Sequence, residues 1–285
     1  MFEPLAWQTS LFGDGPVAGD PAFATLHRTH LDDDSWVDYA PGWLAGSDEL
    51  FALLLTRGDW RQRERWMYEK TVAEPRLTAG FSARQPPGVG AAAVSDLRMV
   101  PGERVDDLVP GGDRGTGRDD AGTPPALAAV CDLLSERYGV DFDSIWVNLY
   151  RDGADSVAWH GDRNGRTQQN PFVVTISLGG RRLFQLRPKG TTTVTHRFHP
   201  GLGDLLVMGG ACQQDSDESS TRNRPDLVEY SVGHGDLLVM GGACQHTWEH
   251  RVPKTKKPVH PRMSVTIRHS KDAGAQVEIP PEKEW

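Results

Sequence analysis

The sequence predicts a β-rich α+β fold, a sandwich or jelly roll of short strands with helices on its N-terminal side. Three observations carry that expectation. Gly (31) and Pro (20) punctuate the chain densely. Two helical segments precede residue 144, and after it short β-branched runs end at Gly or Pro turns. With 285 residues, 38% hydrophobic, the chain has room for one large domain, or one domain with an extension.

Taken in order, residues 1–45 are rich in Gly, Pro and Asp, and read as an irregular arm. Gly46 to Leu55 reads as a helix, with Ser47 or Asp48 as its cap and acids in the first turn. Residues 82–124 carry few structural signals, and Arg114 to Thr123 reads as an exposed loop. Pro124-Pro125 opens a second helix, Ala126 to Tyr138, closed by Gly139. Strands are then expected at 145–150, 172–178, 183–187, 204–208 and 263–268. The division that follows is an arm (1–45), a helical support region (46–143), a strand-rich core (144–270) and a tail (271–285).

Composition narrows the function. A net charge of −8 argues against a generic basic nucleic-acid binder, although a local basic face remains open to it. Cys131, Cys212 and Cys244 form no CxxC pair, so a reduced, cytoplasmic setting is expected. No signal-like leader is visible and no run of 18 apolar residues occurs, so no membrane partner is expected.

One segment is duplicated. Gly203 to Gln213 (GDLLVMGGACQ) recurs unchanged at Gly235 to Gln245, an offset of 32 residues. Two copies are too few for a solenoid. Two identical strand sequences compete for one slot in a sheet. Gln214 to Arg224 between them is polar and reads as disordered.

An H-x-D tripeptide lets two side chains converge on one metal ion, and with a second His it makes a facial triad suited to Fe(II). The chain has three: His30-Leu31-Asp32, His160-Gly161-Asp162 and His234-Gly235-Asp236. The first sits in an acidic arm. The third lies at the repeat, whose other copy has Leu202 where His234 stands. The middle one follows a β run and precedes further strands. Downstream, His246 and His250 both compete for the third position. On a strand, Arg262, Ser264, Thr266 and Arg268 share one face, opposite Met263, Val265 and Ile267. Asn148 and Tyr150 likewise share a face. An Asn, Tyr, Thr and double-Arg patch near a metal suits a small dicarboxylate.

Together these residues resemble the AlkB family of nucleic-acid dealkylases. The shared pattern runs Asn148-x-Tyr150, His160-x-Asp162, Ser177-Leu178-Gly179, Phe184-x-x-Arg187, Gly-Asp-Leu-Leu, His250-x-Val-Pro, and Arg262 with five residues to Arg268. It covers about residues 144–270 in order, and Pro75-Arg76-Leu77-Thr78-Ala79 resembles the family's segment before its substrate-recognition lid.

The resemblance implies a double-stranded β-helix (jelly-roll) core, with the lid inside the 46–143 region. It implies that His160, Asp162 and His250 bind Fe(II), and that Asn148, Tyr150, Arg262, Thr266 and Arg268 bind 2-oxoglutarate. Which Arg meets which carboxylate stays open. The implied reaction uses O₂ to demethylate N-alkylated bases of the 1-methyladenine and 3-methylcytosine type in DNA or RNA, releasing formaldehyde, succinate and CO₂. Pro75, Arg76, Phe81, Asn164 and Arg187 are the expected substrate contacts, with Phe81 as the stacking ring. Asn164 stands where some relatives place an acid. Basic clusters at Arg61, Arg63, Arg65 and Lys70, at Arg163 and Arg166, at Arg181, Arg182, Arg187 and Lys189, and at Lys254, Lys256 and Lys257, are expected around the mouth. A monomer is expected.

Two other readings remain: the same chemistry on a protein or small molecule, and a catalytically silent nucleic-acid-binding module. Asp162 and His250 stand 88 residues apart, or 56 once the 32-residue offset is removed, closer to a compact arrangement. The second copy is therefore expected in the core strand before His250, with the first copy or its linker as an excursion.

Overall fold

The computed structural model describes residues 15–67, 69–82, 123–161, 171–193, 195–198, 228–230, 235–242 and 244–269. Four short strands come first: β1 (Ala18–Gly19), β2 (His27–His30), β3 (Ser35–Ala40) and β4 (Leu44–Ala45). Helix α1 (Ser47–Arg57), the antiparallel pair β5 (Glu64–Met67) and β6 (Lys70–Ala73), strand β7 (Leu77–Ser82) and helix α2 (Pro125–Tyr138) follow. The second half holds β8 (Ser144–Tyr150), β9 (Val157–His160), β10 (Val173–Gly179), β11 (Phe184–Pro188), β12 (His196–Phe198), β13 (Val228–Tyr230) and β14 (Asp236–Gly242). It ends with a short α3 (Cys244–Thr247), β15 (Trp248–Val252) and β16 (Arg262–Arg268).

Two sheets form a jelly-roll core, the fold class expected from the sequence. The larger contains β10-β16-β8-β7, with β14-β3-β2 continuing it beyond β10; the smaller runs β13-β12-β11-β15-β9. Strand alternation explains the layering. From β8, β10 and β16, Ile145, Val147, Leu149, Val174, Ile176, Leu178, Met263, Val265 and Ile267 pack against Leu50 and Leu54 of α1 and Leu127 and Leu134 of α2. On the other side Val173, Leu238 and Met240 meet Phe184, Leu186 and Val252 of the smaller sheet. The layers are therefore helices, large sheet, small sheet, with an opening between the sheets.

Both helices stand close to their expected bounds. Gly139 ends α2 in the left-handed region (φ 64), where a Cβ is disfavoured. The cap of α1 differs: it is Gly46, with no side-chain cap, although Asp48 and Glu49 occupy the first turn. Among the described helices, none is long and apolar enough to cross a membrane.

The arm is where sequence and structure part most. From Ala18 onward it contributes strands, and β3 pairs with β14 over six residues. Trp36, Trp43 and Leu44 join the helix-side core. Asp38 is fully buried inside β3 and is held by a two-point contact from Arg28 (Nε to Oδ1 2.5 Å, Nη2 to Oδ2 2.6 Å), with Tyr138 donating to Oδ2 at 3.2 Å. That buried acid, like Asp32-Asp33-Asp34 before it, adds to the Asp content from which the segment read as an irregular arm.

The second repeat copy supplies β14. Leu237 and Val239 face the helix side, and Leu238 and Met240 face the small sheet, so the strand is buried on both faces. The first copy, residues 203–213, lies outside the described residues, as do the expected strand at 204–208 and the tail.

Candidate active site

A cavity of about 830 Å³ opens between the sheets. Its lining includes Arg63, Arg76, Thr78, Trp146, Asn148, Tyr150, His160, Gly161, Phe184, His250, Arg262, Ser264, Thr266 and Arg268. Every residue assigned to 2-oxoglutarate from the sequence is on that wall. Alternation puts them there: Asn148 pairs with Ser264 and Tyr150 with Arg262 across β8 and β16, all with side chains on the cavity face.

His160 and His250 meet across β9 and β15. They are register partners, and their ring centroids are 4.2 Å apart. The pairing shifts by one residue between His250 and Val252, a bulge beside the histidine pair. Phe184 stacks on His250 at 5.3 Å. His160 Nδ1 lies 2.8 Å from the carbonyl of Ala158. A carbonyl only accepts, so Nδ1 carries the proton and Nε2 is left with the lone pair a metal requires. His250, and not His246 of α3, reaches the cavity. Asp162 and Asn164 lie outside the described residues. Among those described, no cluster of three or more His, Cys, Asp or Glu forms a metal site.

Arg262 is 1% exposed. Its Nη2 donates to Ser177 Oγ at 2.6 Å, while Nε and Nη1 find no hydrogen-bond partner among the described residues. Desolvation pulls its pKa down to about 10, with Tyr150 opposing and Arg182 adding to the fall. The group stays cationic at neutral pH. A buried guanidinium with unmatched donors facing a cavity is what a carboxylate ligand completes. Asn148 is prepared in a similar way. Arg76 Nε (3.2 Å) and Thr78 Oγ1 (3.1 Å) both approach its Oδ1, so the amide N–H₂ is the end left for a ligand. The residues present therefore fit both a metal ion and a small dicarboxylate.

The proposed substrate contacts divide. Arg76 lines the cavity and pairs with Glu74 at 2.8 Å, and Glu74 also pairs with Arg65. Pro75 is a backbone anchor, its carbonyl accepting from Ser156 N at 2.8 Å. Phe81 does not reach the cavity. It pairs with Ile145 on β8 and packs against the helix-side core. Register explains this: Thr78 faces the cavity opposite Asn148, so a residue three further along points away. Trp146 is on the cavity wall instead, with the Arg63 guanidinium 4.4 Å over its ring. Arg187 also lies off the cavity. It pairs with Glu249 at 2.9 Å and sits 4.2 Å over Trp159. Of the basic clusters, Arg63 and Arg65 reach the mouth, whereas Arg181, Arg182, Arg187 and Lys189, and Lys254, Lys256 and Lys257, are not in the lining, and Arg182 is buried; Arg163 and Arg166 lie outside the described residues. Trp146 and Arg63 were missed as a unit. The alternation of β8 held the signal for Trp146, two residues before Asn148.

Comparison with known proteins settles the family. Residues 49–231 match the family model described as the 2OG-Fe(II) oxygenase superfamily. The chain belongs to that superfamily. The match takes in the first repeat copy and stops before the second, so the placement of His250 and β16 in this oxygenase rests on the structure. Among curated proteins the chain is similar to the alpha-ketoglutarate-dependent dioxygenase alkB homolog 3 of Bos taurus. That likeness is 27% identity over 244 residues, covering 82% of this chain and 66% of the relative. The human alkB homolog 3 is 27% identical over 217 residues, covering 73% and 56%. The DNA oxidative demethylase ALKBH2 of Arabidopsis thaliana is 30% identical over 145 residues, covering 50% and 43%. These relatives bear out the AlkB-type resemblance, and the chain spans under two thirds of their length. Among solved structures, a 2OG-Fe(II) oxygenase family oxidoreductase from Burkholderia pseudomallei covers 77% of this chain and 78% of its own, at 12% identity and TM-score 0.36. AviO1 from Streptomyces viridochromogenes Tue57 covers 88% and 93%, at 14% identity and TM-score 0.35.

Proposed function

We propose that this oxygenase oxidatively removes N-linked alkyl groups from bases in DNA or RNA, using Fe(II), 2-oxoglutarate and O₂. The observation that carries the reading is the meeting, in one cavity, of the His160–His250 pair and the Arg262 guanidinium, whose Nε and Nη1 are unmatched among the described residues.

His160 and His250, with Asp162, would hold the metal. Arg262, Asn148 and Tyr150 would seat 2-oxoglutarate, with Thr266 and Arg268 further along the same wall. When bound, iron with 2-oxoglutarate and O₂ supplies an oxidation that hydroxylates an N-methyl carbon, which then leaves as formaldehyde, alongside succinate and CO₂. The chain's own work is positional. The Ala158 carbonyl fixes the His160 tautomer, Phe184 braces the His250 ring, and Arg76 and Thr78 orient the Asn148 amide.

Three features favour a nucleic-acid substrate. Among the described residues the lining carries five arginines (63, 65, 76, 262, 268) against Glu64 and Glu74, in a chain that is acidic as a whole. Trp146 offers a stacking face to an extruded base. Beside the mouth, β5 presents Trp66 at 73% exposure among exposed Arg61, Arg63 and Arg65.

The test is formaldehyde and succinate release from an oligonucleotide bearing 1-methyladenine, with an unmethylated oligonucleotide and an N-methylated peptide in parallel. Release from the methylated oligonucleotide alone is expected. Turnover on the peptide alone would move the reading to a protein substrate. Binding of oligonucleotide without turnover of 2-oxoglutarate would leave a silent binding module.

A further inference from the structure

Arg182 sits in the turn between β10 and β11 and is 3% exposed. Among the described residues, no carboxylate pairs with its guanidinium directly. Its hydrogen bonds go to three backbone carbonyls: Nη1 donates to Asp152 at 2.8 Å, and Nη2 donates to Asp155 at 2.6 Å and Pro253 at 2.9 Å, while the guanidinium lies 5.6 Å from the centre of the Tyr150 ring. Those carbonyls belong to two different connections. Asp152 and Asp155 lie in the turn that leads into β9 and His160. Pro253 follows β15 directly, three residues after His250.

The two connections are fitted to each other. Within the first, the Asp155 carboxylate accepts from Arg151 N, Nε and Nη2, and Asp152 Oδ1 accepts from Ala154 N at 2.8 Å, so the turn is a closed unit. Gly153 lies against the second. Thr255 N donates to the Gly153 carbonyl at 2.9 Å, and a Cβ on Gly153 would fall 2.3 Å from Thr255 O. Between these contacts and the histidines lies the bulge, where the ladder from β9 to β15 slips by a residue. Ordinary strand pairing is broken at the place where the spacing of His160 and His250 is decided. The planar fork of an arginine, with five N–H donors, replaces the missing bonds across that gap; an ammonium on a flexible stem cannot reproduce its geometry.

We propose that Arg182 is a positioning residue for the metal centre, clamping the turn before β9 to the exit of β15 so that His160 and His250 are aligned before the metal arrives. The inference rests on the metal site proposed above.

Co(II) titration of the full chain tests it, read by dissociation constant and ligand-field absorption, with the melting temperature of the metal-free protein measured alongside. Arg182→Met is expected to weaken Co(II) binding by about 10- to 100-fold, the range for groups that orient metal ligands, and to change the band shape. Methylguanidinium added to Arg182→Ala is expected to recover part of the affinity. A role confined to stability would lower the melting temperature and leave the affinity and bands of the folded protein untouched, and that result overturns the proposal. Should Arg182→Met not fold, Arg182→Lys decides: weaker binding with altered bands supports the clamp, and wild-type behaviour overturns it. Wild-type protein that fails to bind Co(II) would sink the metal site and the clamp together. Normal wild-type binding with an unaffected variant sinks the clamp alone.

Discussion

Arg262 carries opposite consequences for stability and for binding. In the ligand-free chain it is a buried cation with two donors unmatched among the described residues, an arrangement that opposes folding. Arg262→Met is therefore expected to leave the melting temperature of the free protein unchanged or higher. The same change should raise the KM for 2-oxoglutarate by about 10²–10³-fold, the effect of removing one partner of a buried charge pair. A thermal melt with and without 2-oxoglutarate checks both at once: the wild type should be stabilised by the ligand and the variant should not. The cysteines give a second expectation. Burial, with Asp132 adding to it, pushes the Cys131 thiol up to about 12, and burial followed by Asp32 pushes Cys244 well above its ordinary value. Neither should form thiolate at neutral pH, so alkylation mapped by mass spectrometry should spare both until denaturant is added. At this scale the face of Arg262, Ser264, Thr266 and Arg268 was legible, because alternation along one strand is local. The error at Phe81 had a different origin: its facing depends on the register of β7 against β8, which is a long-range pairing.

Among elements, the connections around the bulge matter most. Gly153→Ala would drive a methyl group into Thr255 O, so one connection must move. A loss of about 1–3 kcal/mol in unfolding free energy is expected, as for overpacking elsewhere, measured by urea denaturation. The helices, β8, β10 and β16 were legible because each has a strong period and clear punctuation. Three other elements were not. The β5–β6 pair is mostly exposed, without the two-residue alternation that marks a strand. β3 hides an acid whose partner, Arg28, lies on the neighbouring strand. The slot of β14 had two identical claimants in the sequence, and it was the spacing to His250 that favoured the second, which the structure places there.

For the whole molecule, the charge is segregated. A chain of net charge −8 keeps a cavity whose described lining holds five arginines and two glutamates, so composition alone misjudges what it can attract. Arg63 is exposed at the mouth and stacked on Trp146. Arg63→Ala should weaken oligonucleotide binding and lower the slope of log affinity against log salt by about one. Binding isotherms at several salt concentrations check this. The family pattern was legible because its residues converge from separate strands in a fixed order. The central claim is that His160, His250 and Arg262 together hold iron and 2-oxoglutarate. Anaerobic addition of 2-oxoglutarate to the Fe(II)-loaded protein tests it most directly, through the visible metal-to-ligand charge-transfer absorption of the chelate. The wild type should develop that band, His250→Ala should not, and Arg262→Met should need far more 2-oxoglutarate to reach it. A wild type without the band, or a band undiminished in His250→Ala, would contradict the account.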